Sequence, residues 1–117
     1  MSPSQSKPVD MEHLARYTGG ERTLNTEILR LFDTQISEMI QRLNAVLDAR
    51  DAKTWKEIAH TIKGAARGIG AFGMGDAAAA AEPIDPAGDR EKALAALKLL
   101  ESEASSIQSF IQLYLAG

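Results

Sequence analysis

A short stretch of the chain combines residue types that could handle a phosphoryl group. His60 is followed by Lys63, one helical turn later, and then by Gly64. A neutral imidazole is a nucleophile near pH 7, because the ordinary pKa of histidine is about 6.5. If that imidazole attacks phosphorus, a neighbouring ammonium group can offset the negative charge of the product. Glycine has no side chain, so another protein could approach the helix closely at Gly64.

The side chains around His60 form a charged stripe on one face of a predicted helix. At about 100° per residue, four cations and one glycine lie within roughly 60° of His60. They are Lys53, Lys56, Lys63, Arg67 and Gly64. Glu57 shares this face, so the stripe is not purely basic. The apolar residues of the same helix lie to one side, which predicts that His60 faces solvent.

Apolar residues recur every three or four positions along most of the chain, which is the period of amphipathic helices. The pattern predicts five helices, over about residues 11–17, 21 or 23 to 49, 52 to about 70, 72–82, and 87 or 90 to 115. Asp10 and Asp51 are predicted N-caps, and Pro83 ends the fourth helix. In the last helix, the buried stripe is predicted to start at Leu94.

Four substantial helices with short connections predict an all-α fold, an antiparallel four-helix bundle with a short additional N-terminal helix. Residues 1–8 are polar, contain two prolines and are predicted to form a flexible tail, so that residues 9–117 form the domain. We expect a monomer, because the apolar stripes are narrow enough to be used up inside one bundle. His13 has no motif around it and is expected to be structural or incidental.

Composition excludes several classes of function. The chain has 117 residues and no cysteine, so it is one domain without disulfides, thiolate zinc sites or a thiol nucleophile. It has no apolar run of about 20 residues and no secretory signal, so we expect a cytoplasmic protein that does not enter a membrane. Its net charge of −3 argues against a nucleic-acid-binding surface. A glycine-rich phosphate loop followed by Lys and Ser or Thr is absent, so we expect no ATP site and no autophosphorylation.

The segment around His60 resembles the phosphorylated segment of histidine-containing phosphotransfer (HPt) domains, which act in multistep two-component signalling. The similar residues in this segment are His60-x-x-Lys63-Gly64, Gly70-Ala71 and Met74. Further similar residues before and after it are Thr18-Gly19-Gly20, Glu27-Ile28-Leu29-x-Leu31-Phe32, Ala78 and Glu82. The resemblance covers nearly the whole chain and implies a four-helix bundle with a short extra helix.

The resemblance implies a role for three side chains in the transfer of a phosphoryl group. His60 would be phosphorylated on Nε2, and Lys63 would stabilise the phosphoryl group. Glu82 occupies the place of a side chain that accepts a hydrogen bond from Nδ1 and fixes the ring. The chain would need no cofactor of its own. Mg²⁺ is expected on the partner, because no cluster of acidic residues stands beside His60.

The implied partners are response-regulator receiver domains and a hybrid histidine kinase. They would dock on a face built from the first two helices and the phosphorylated helix. The predicted docking residues are Gly64, Arg67, Lys56 and Lys53. Apolar contacts from Met11 or Leu14 are also expected.

The main hypothesis is a relay protein that takes the phosphoryl group from one receiver aspartate and gives it to another. One alternative is the phosphoacceptor module of a larger chemotaxis-type histidine kinase, whose ATP-binding domain would be the donor. The start at Met1 favours a free-standing protein over this alternative. The other alternative is a helical interaction module whose histidine is never phosphorylated.

Overall fold

The computed structural model describes residues 7–117, which form five helices. They are α1 (Met11–Thr18), α2 (Arg22–Ala49), α3 (Ala52–Ile69), α4 (Phe72–Ala81) and α5 (Arg90–Ala116). The prediction of an all-α fold is confirmed, and the helix bounds agree with the predicted ones to within a few residues. The predicted flexible tail falls mostly on residues 1–6, which lie outside the described residues. Val9, the first residue of the predicted domain, is fully buried.

Helices α2 to α5 form an antiparallel bundle in which each helix packs against two neighbours. α2 and α4 each contact both α3 and α5. α5 runs antiparallel to α2. The start of α5 meets the end of α2, where Arg90 binds Asp48. The end of α5 meets the start of α2, where Arg22 donates a hydrogen bond to the carbonyl of Tyr114. The short helix α1 packs against α2 and α3. None of the helices within residues 7–117 is long and apolar enough to cross a lipid bilayer.

The core is built mainly from aliphatic side chains, with the single tryptophan, Trp55, fully buried among them. The predicted start of the stripe in α5 is wrong. Leu94 is 39% exposed, whereas the preceding Ala93 is completely buried. The small side chain of alanine lets the start of α5 approach its neighbours closely, and the buried stripe then continues with the predicted period through Leu97 and Leu100.

The turn between α3 and α4 fixes the position of α1 through a backbone hydrogen bond. α3 is followed by Gly70, which caps it with a φ of 89°, a left-handed conformation that glycine adopts without strain. The carbonyl of Gly70 accepts a hydrogen bond of 2.9 Å from the backbone N–H of Asp10. The side chain of Asp10 in turn caps α1 by accepting from the N–H groups of Glu12 and His13. The predicted end of the third helix at about residue 70 is therefore confirmed, and this end also anchors α1.

Candidate functional site

His60 projects into solvent from the middle of α3. Its side chain is 67% exposed, while Ile58, Ala59 and Ile62 of the same helix are buried on the opposite side. The ring is held at one nitrogen, because Nδ1 lies 3.1 Å from Oε2 of Glu82. Within residues 7–117, Nε2 makes no hydrogen bond. One nitrogen is therefore fixed by the protein and the other is available to a partner.

Glu82 reaches His60 from the C-terminal end of α4. Its Oε2 meets Nδ1 of His60, and its Oε1 accepts a hydrogen bond of 2.8 Å from Nζ of Lys63. The side chain of Glu82 is only 18% exposed. Its backbone is helical, with φ −54° and ψ −44°, and its N–H donates to the carbonyl of Ala78. Glu82, the residue that caps α4, therefore keeps a helical backbone conformation although Pro83 follows it, an arrangement that a proline disfavours.

The contact with Glu82 determines which nitrogen of His60 can react. An ionised carboxylate only accepts hydrogen bonds, so Nδ1 must carry the proton. In the neutral ring, Nε2 then has the free lone pair of a nucleophile. The hydrogen bond from Lys63 is the main cause that holds the pKa of Glu82 below its ordinary value, and the hydrogen bond with His60 adds to it. Partial burial acts in the opposite direction. Glu82 is therefore ionised at neutral pH and able to accept from Nδ1.

Lys63 lies on the α4 side of His60 and is mostly covered, with 24% of its side chain exposed. The resemblance predicts that Lys63 stabilises a phosphoryl group, and this role remains a prediction. In the structure, the amine binds the carboxylate of Glu82. Sequence reasoning missed this ion pair, because residues on two different helices give no spacing signal for a contact.

The other predicted docking cations differ in whether a carboxylate of the protein already offsets their charge. Lys53 and Lys56 are exposed and form no ion pair within residues 7–117. Arg67 is directed toward α4 instead. A Cβ at Gly75 would stand 2.8 Å from Cγ of Arg67, and the guanidinium lies 3.6 Å from Asp76. Asp76 therefore offsets part of the charge of Arg67 at the surface.

Gly64 leaves the surface of α3 open beside the reactive face. It is exposed, and a Cβ built there would meet nothing within 4 Å. A groove of about 160 Å³ lies nearby between α2 and α3. Its lining residues are Met39, Arg42, Glu57, Ile58 and Thr61. The expectation that α2 takes part in the docking face named no residue of that helix, and Met39 and Arg42 are the ones that line this groove.

The expected apolar contact from Leu14 is wrong. Leu14 is 1% exposed and belongs to the core, because it points inward from α1 between α2 and α3. Met11 is half-buried against the core. The large apolar side chains exposed on α1 and α2 are instead Tyr17, at 66%, Leu31, at 59%, and Leu24, at 39%.

The second histidine has a different environment from His60. The ring of His13 packs edge-on against Phe72, with 5.0 Å between ring centroids, and against Tyr17 at 5.8 Å. Its Nε2 is buried and has no hydrogen-bond partner among the described residues. This packing supports the structural role expected for His13. Within residues 7–117, no group of three or more His, Cys, Asp or Glu side chains could hold a metal ion.

Comparison with known proteins gives one family and two similar structures. The sequence model of the Hpt domain matches residues 27–110. The crystal structure of histidine-containing phosphotransfer protein B from Pseudomonas aeruginosa PAO1 has a TM-score of 0.83 at 22% identity, over 100% of this chain and 99% of that chain. A candidate histidine-containing phosphotransfer protein from rice has a TM-score of 0.78 at 17% identity, over 97% of this chain and 86% of that chain. At these identities, the two structures establish the fold. No curated protein matches the sequence.

Proposed function

Because the chain belongs to the Hpt domain family, which supplies the phosphotransfer modules of two-component phosphorelays, we propose that His60 accepts a phosphoryl group from a receiver-domain aspartate and passes it to another receiver. The contact between Nδ1 of His60 and Glu82 carries this proposal. It leaves Nε2 of an exposed ring as the nucleophile. The chain has only two histidines, and the packed ring of His13 with its buried Nε2 makes it a poor acceptor.

The transfer requires one bond to form and one to break. Nε2 of His60 attacks the phosphorus of a receiver's aspartyl phosphate, the N–P bond forms, and the aspartate leaves as a carboxylate. Nδ1 keeps its proton, so the phosphorylated ring gains positive charge, which the carboxylate of Glu82 can stabilise. In the reverse step, an aspartate of the second receiver attacks the same phosphorus and the N–P bond breaks. The proposal assigns Mg²⁺ to the receiver domains.

The proposal also includes how a receiver docks. Lys53 and Lys56 provide positive charge beside His60 for the acidic pocket of a receiver, and Gly64 allows its surface to approach α3 closely. Arg67 also belongs to this face, although Asp76 offsets part of its positive charge. We place a hybrid histidine kinase as the source of the phosphoryl group, and we propose that the chain acts as a cytoplasmic monomer.

Phosphotransfer from a radiolabelled receiver tests this function directly. Wild-type protein, His60→Gln and His13→Gln are each mixed with several phosphorylated receiver domains, and label on the protein is followed with time. We expect label on wild type and on His13→Gln, and none on His60→Gln. The label should be lost in acid and persist in alkali, as expected of a phosphorus–nitrogen bond.

Circular dichroism spectra of the three proteins show whether each variant is folded. Equal labelling of folded His60→Gln and wild type would rule out His60 as the acceptor. No label from any receiver, combined with label from an ATP-loaded kinase domain, would favour the kinase-module alternative. No label from either donor would favour an interaction module.

A further inference from the structure

We propose that Trp55 is a positioning residue for phosphotransfer: its indole N–H holds the end of α4, and thereby keeps the carboxylate of Glu82 in contact with His60. This inference rests on the proposed function of His60. It concerns a fully buried residue that offers no surface to a partner, and it assigns a role to a hydrogen bond that the proposed function does not use.

The hydrogen bond joins α3 directly to the residue before Glu82. Trp55 lies on α3 and is fully buried. Its Nε1 donates a hydrogen bond of 2.9 Å to the carbonyl oxygen of Ala81, the last residue of α4. Ala81 is also fully buried. The same helix that carries His60 therefore holds the backbone beside Glu82 through a directional contact.

Two other hydrogen bonds reach this end of α4, from the N–H of Ile84 to the carbonyl of Ala81 and from Nζ of Lys63 to the carboxylate of Glu82, but neither ties the backbone of α4 to a neighbouring helix. The sequence of α4 itself adds little that would. The helix has only ten residues, five of them the consecutive alanines 77–81, and no side chain caps its N-terminus. Alanine side chains offer few interlocking contacts that would resist sliding along a neighbouring helix. Pro83 has no N–H group to donate to the carbonyl four residues earlier, and it disfavours the helical conformation that Glu82 adopts.

The hydrogen bond between His60 and Glu82, which depends on this anchor, tolerates only a small displacement of α4. Nδ1 of His60 and Oε2 of Glu82 are 3.1 Å apart, and a separation above about 3.5 Å no longer makes a hydrogen bond. One residue of an α-helix rises about 1.5 Å along its axis, so a slip of α4 by less than one residue would break the contact. Without the carboxylate, the neutral ring can place its proton on Nε2, which then lacks the lone pair needed for attack.

The test removes the indole N–H and reads the tautomer of His60. Trp55→Phe keeps an aromatic ring in the core without the donor. Because Trp55 is the only tryptophan, the isosteric analogue benzothienylalanine, with sulfur in place of N–H, can be placed at this position alone. It serves as the second variant if Trp55→Phe does not fold. Nitrogen-15 NMR of the imidazole reports which nitrogen carries the proton, without any partner protein.

We expect both Trp55 variants to shift His60 toward the tautomer protonated on Nε2. Transfer from a phosphorylated receiver should slow by about fivefold, the effect of losing one ordinary hydrogen bond. Glu82→Ala should give the same change of tautomer. In Glu82→Ala, the further change of Trp55 should have no additional effect on the tautomer, because the carboxylate that Trp55 positions is already absent.

Tyr114→Phe is the matched control, because it also removes one side-chain hydrogen bond of an aromatic residue. The hydroxyl of Tyr114 accepts from Asn25 where the end of α5 meets the start of α2. This variant should leave the tautomer of His60 unchanged. Folded Trp55 variants with the wild-type tautomer and transfer rate would overturn the inference while leaving the proposed function intact. A wild-type protein that shows the Glu82-dependent tautomer but accepts no phosphoryl group would instead overturn the proposed function.

Discussion

Nδ1 of His60 lies 3.1 Å from Oε2 of Glu82, although the two residues are 22 positions apart and belong to different helical segments. The second oxygen of the same carboxylate binds Nζ of Lys63 at 2.8 Å. His60 and Lys63 thus share the carboxylate of Glu82. A change in any of them is expected to alter the others, and this coupling can be measured.

The first prediction concerns the route by which Lys63 acts. Lys63→Met should slow transfer by about tenfold, because it removes a charged hydrogen bond that orders the carboxylate next to His60. If Lys63 acts through Glu82, the effects of Lys63→Met and Glu82→Gln should not add in the double variant. If Lys63 contacts the phosphoryl group independently of Glu82, the two effects should multiply. Single-turnover transfer rates of the four proteins distinguish the two routes.

The second prediction concerns the approach of a receiver at Gly64. Gly64→Gln should keep or raise thermal stability, because the position is exposed and helical and glycine is the poorer helix former by up to about 1 kcal/mol. Transfer should slow at least tenfold, because the new side chain stands where the partner must approach. Gly68→Gln is the matched control, since Gly68 is also exposed on α3 with nothing within 4 Å of a Cβ. Equal transfer by the two variants would contradict a close approach at Gly64.

The third prediction concerns the corner that anchors α1. Gly70→Ala should destabilise the protein by about 2 kcal/mol or more, because alanine is strained at a φ of 89°. Its Cβ would also stand 2.7 Å from the backbone oxygen of Asp10. Gly64→Ala, on the same helix but with space around it, should instead be neutral or stabilising. Urea denaturation of both variants gives the comparison, and a Gly70→Ala variant as stable as wild type would show that the corner is not rigid.

The fourth prediction concerns the loss of folding stability at acidic pH. The pKa of Glu82 in the folded protein is lowered from its ordinary value of 4.5, first by the hydrogen bond from Lys63. The unfolded chain therefore binds more protons in the acid range, so the stability from this group is complete above about pH 4.5 and is lost as the pH falls through the lowered value. The pKa of Asp51 is also lowered, mainly by the hydrogen bond from the side chain of Thr54, and acts in the same direction.

Comparison of wild type with Glu82→Gln separates the two carboxyl groups. The free energy of unfolding, measured between about pH 3 and pH 7, should fall less steeply in acid for Glu82→Gln than for wild type. The remaining decline reports Asp51 and the other carboxyl groups. Identical pH profiles for the two proteins would show that Glu82 gains nothing from Lys63 in the folded state.

Helix bounds and the exposure of His60 were accessible to sequence reasoning, because both depend on local periodicity. A residue opposite a run of buried apolar positions faces solvent in any packing of that helix, and His60 does so. The breaker at Gly70 and the caps at Asp10 and Asp51 also act within a few residues of their own position. The start of the buried stripe of α5 was wrong at Leu94, because Ala93 and Leu94 precede Leu97 by four and three residues and flank the stripe on its two sides, so that only the approach of other helices selects between them.

The sequence by itself determined five helices, an exposed histidine with a lysine one turn away, and, through its resemblance to a family, the chemistry expected of that pair. Only the tertiary structure decided which of the long side chains on separate helices contact each other. It placed Lys63 on Glu82 and Arg67 beside Asp76. It also joined Trp55 to the end of α4. The reason is physical: helical period and capping are fixed by neighbours in the chain, whereas the axial offset and rotation of packed helices depend on all the side chains between them.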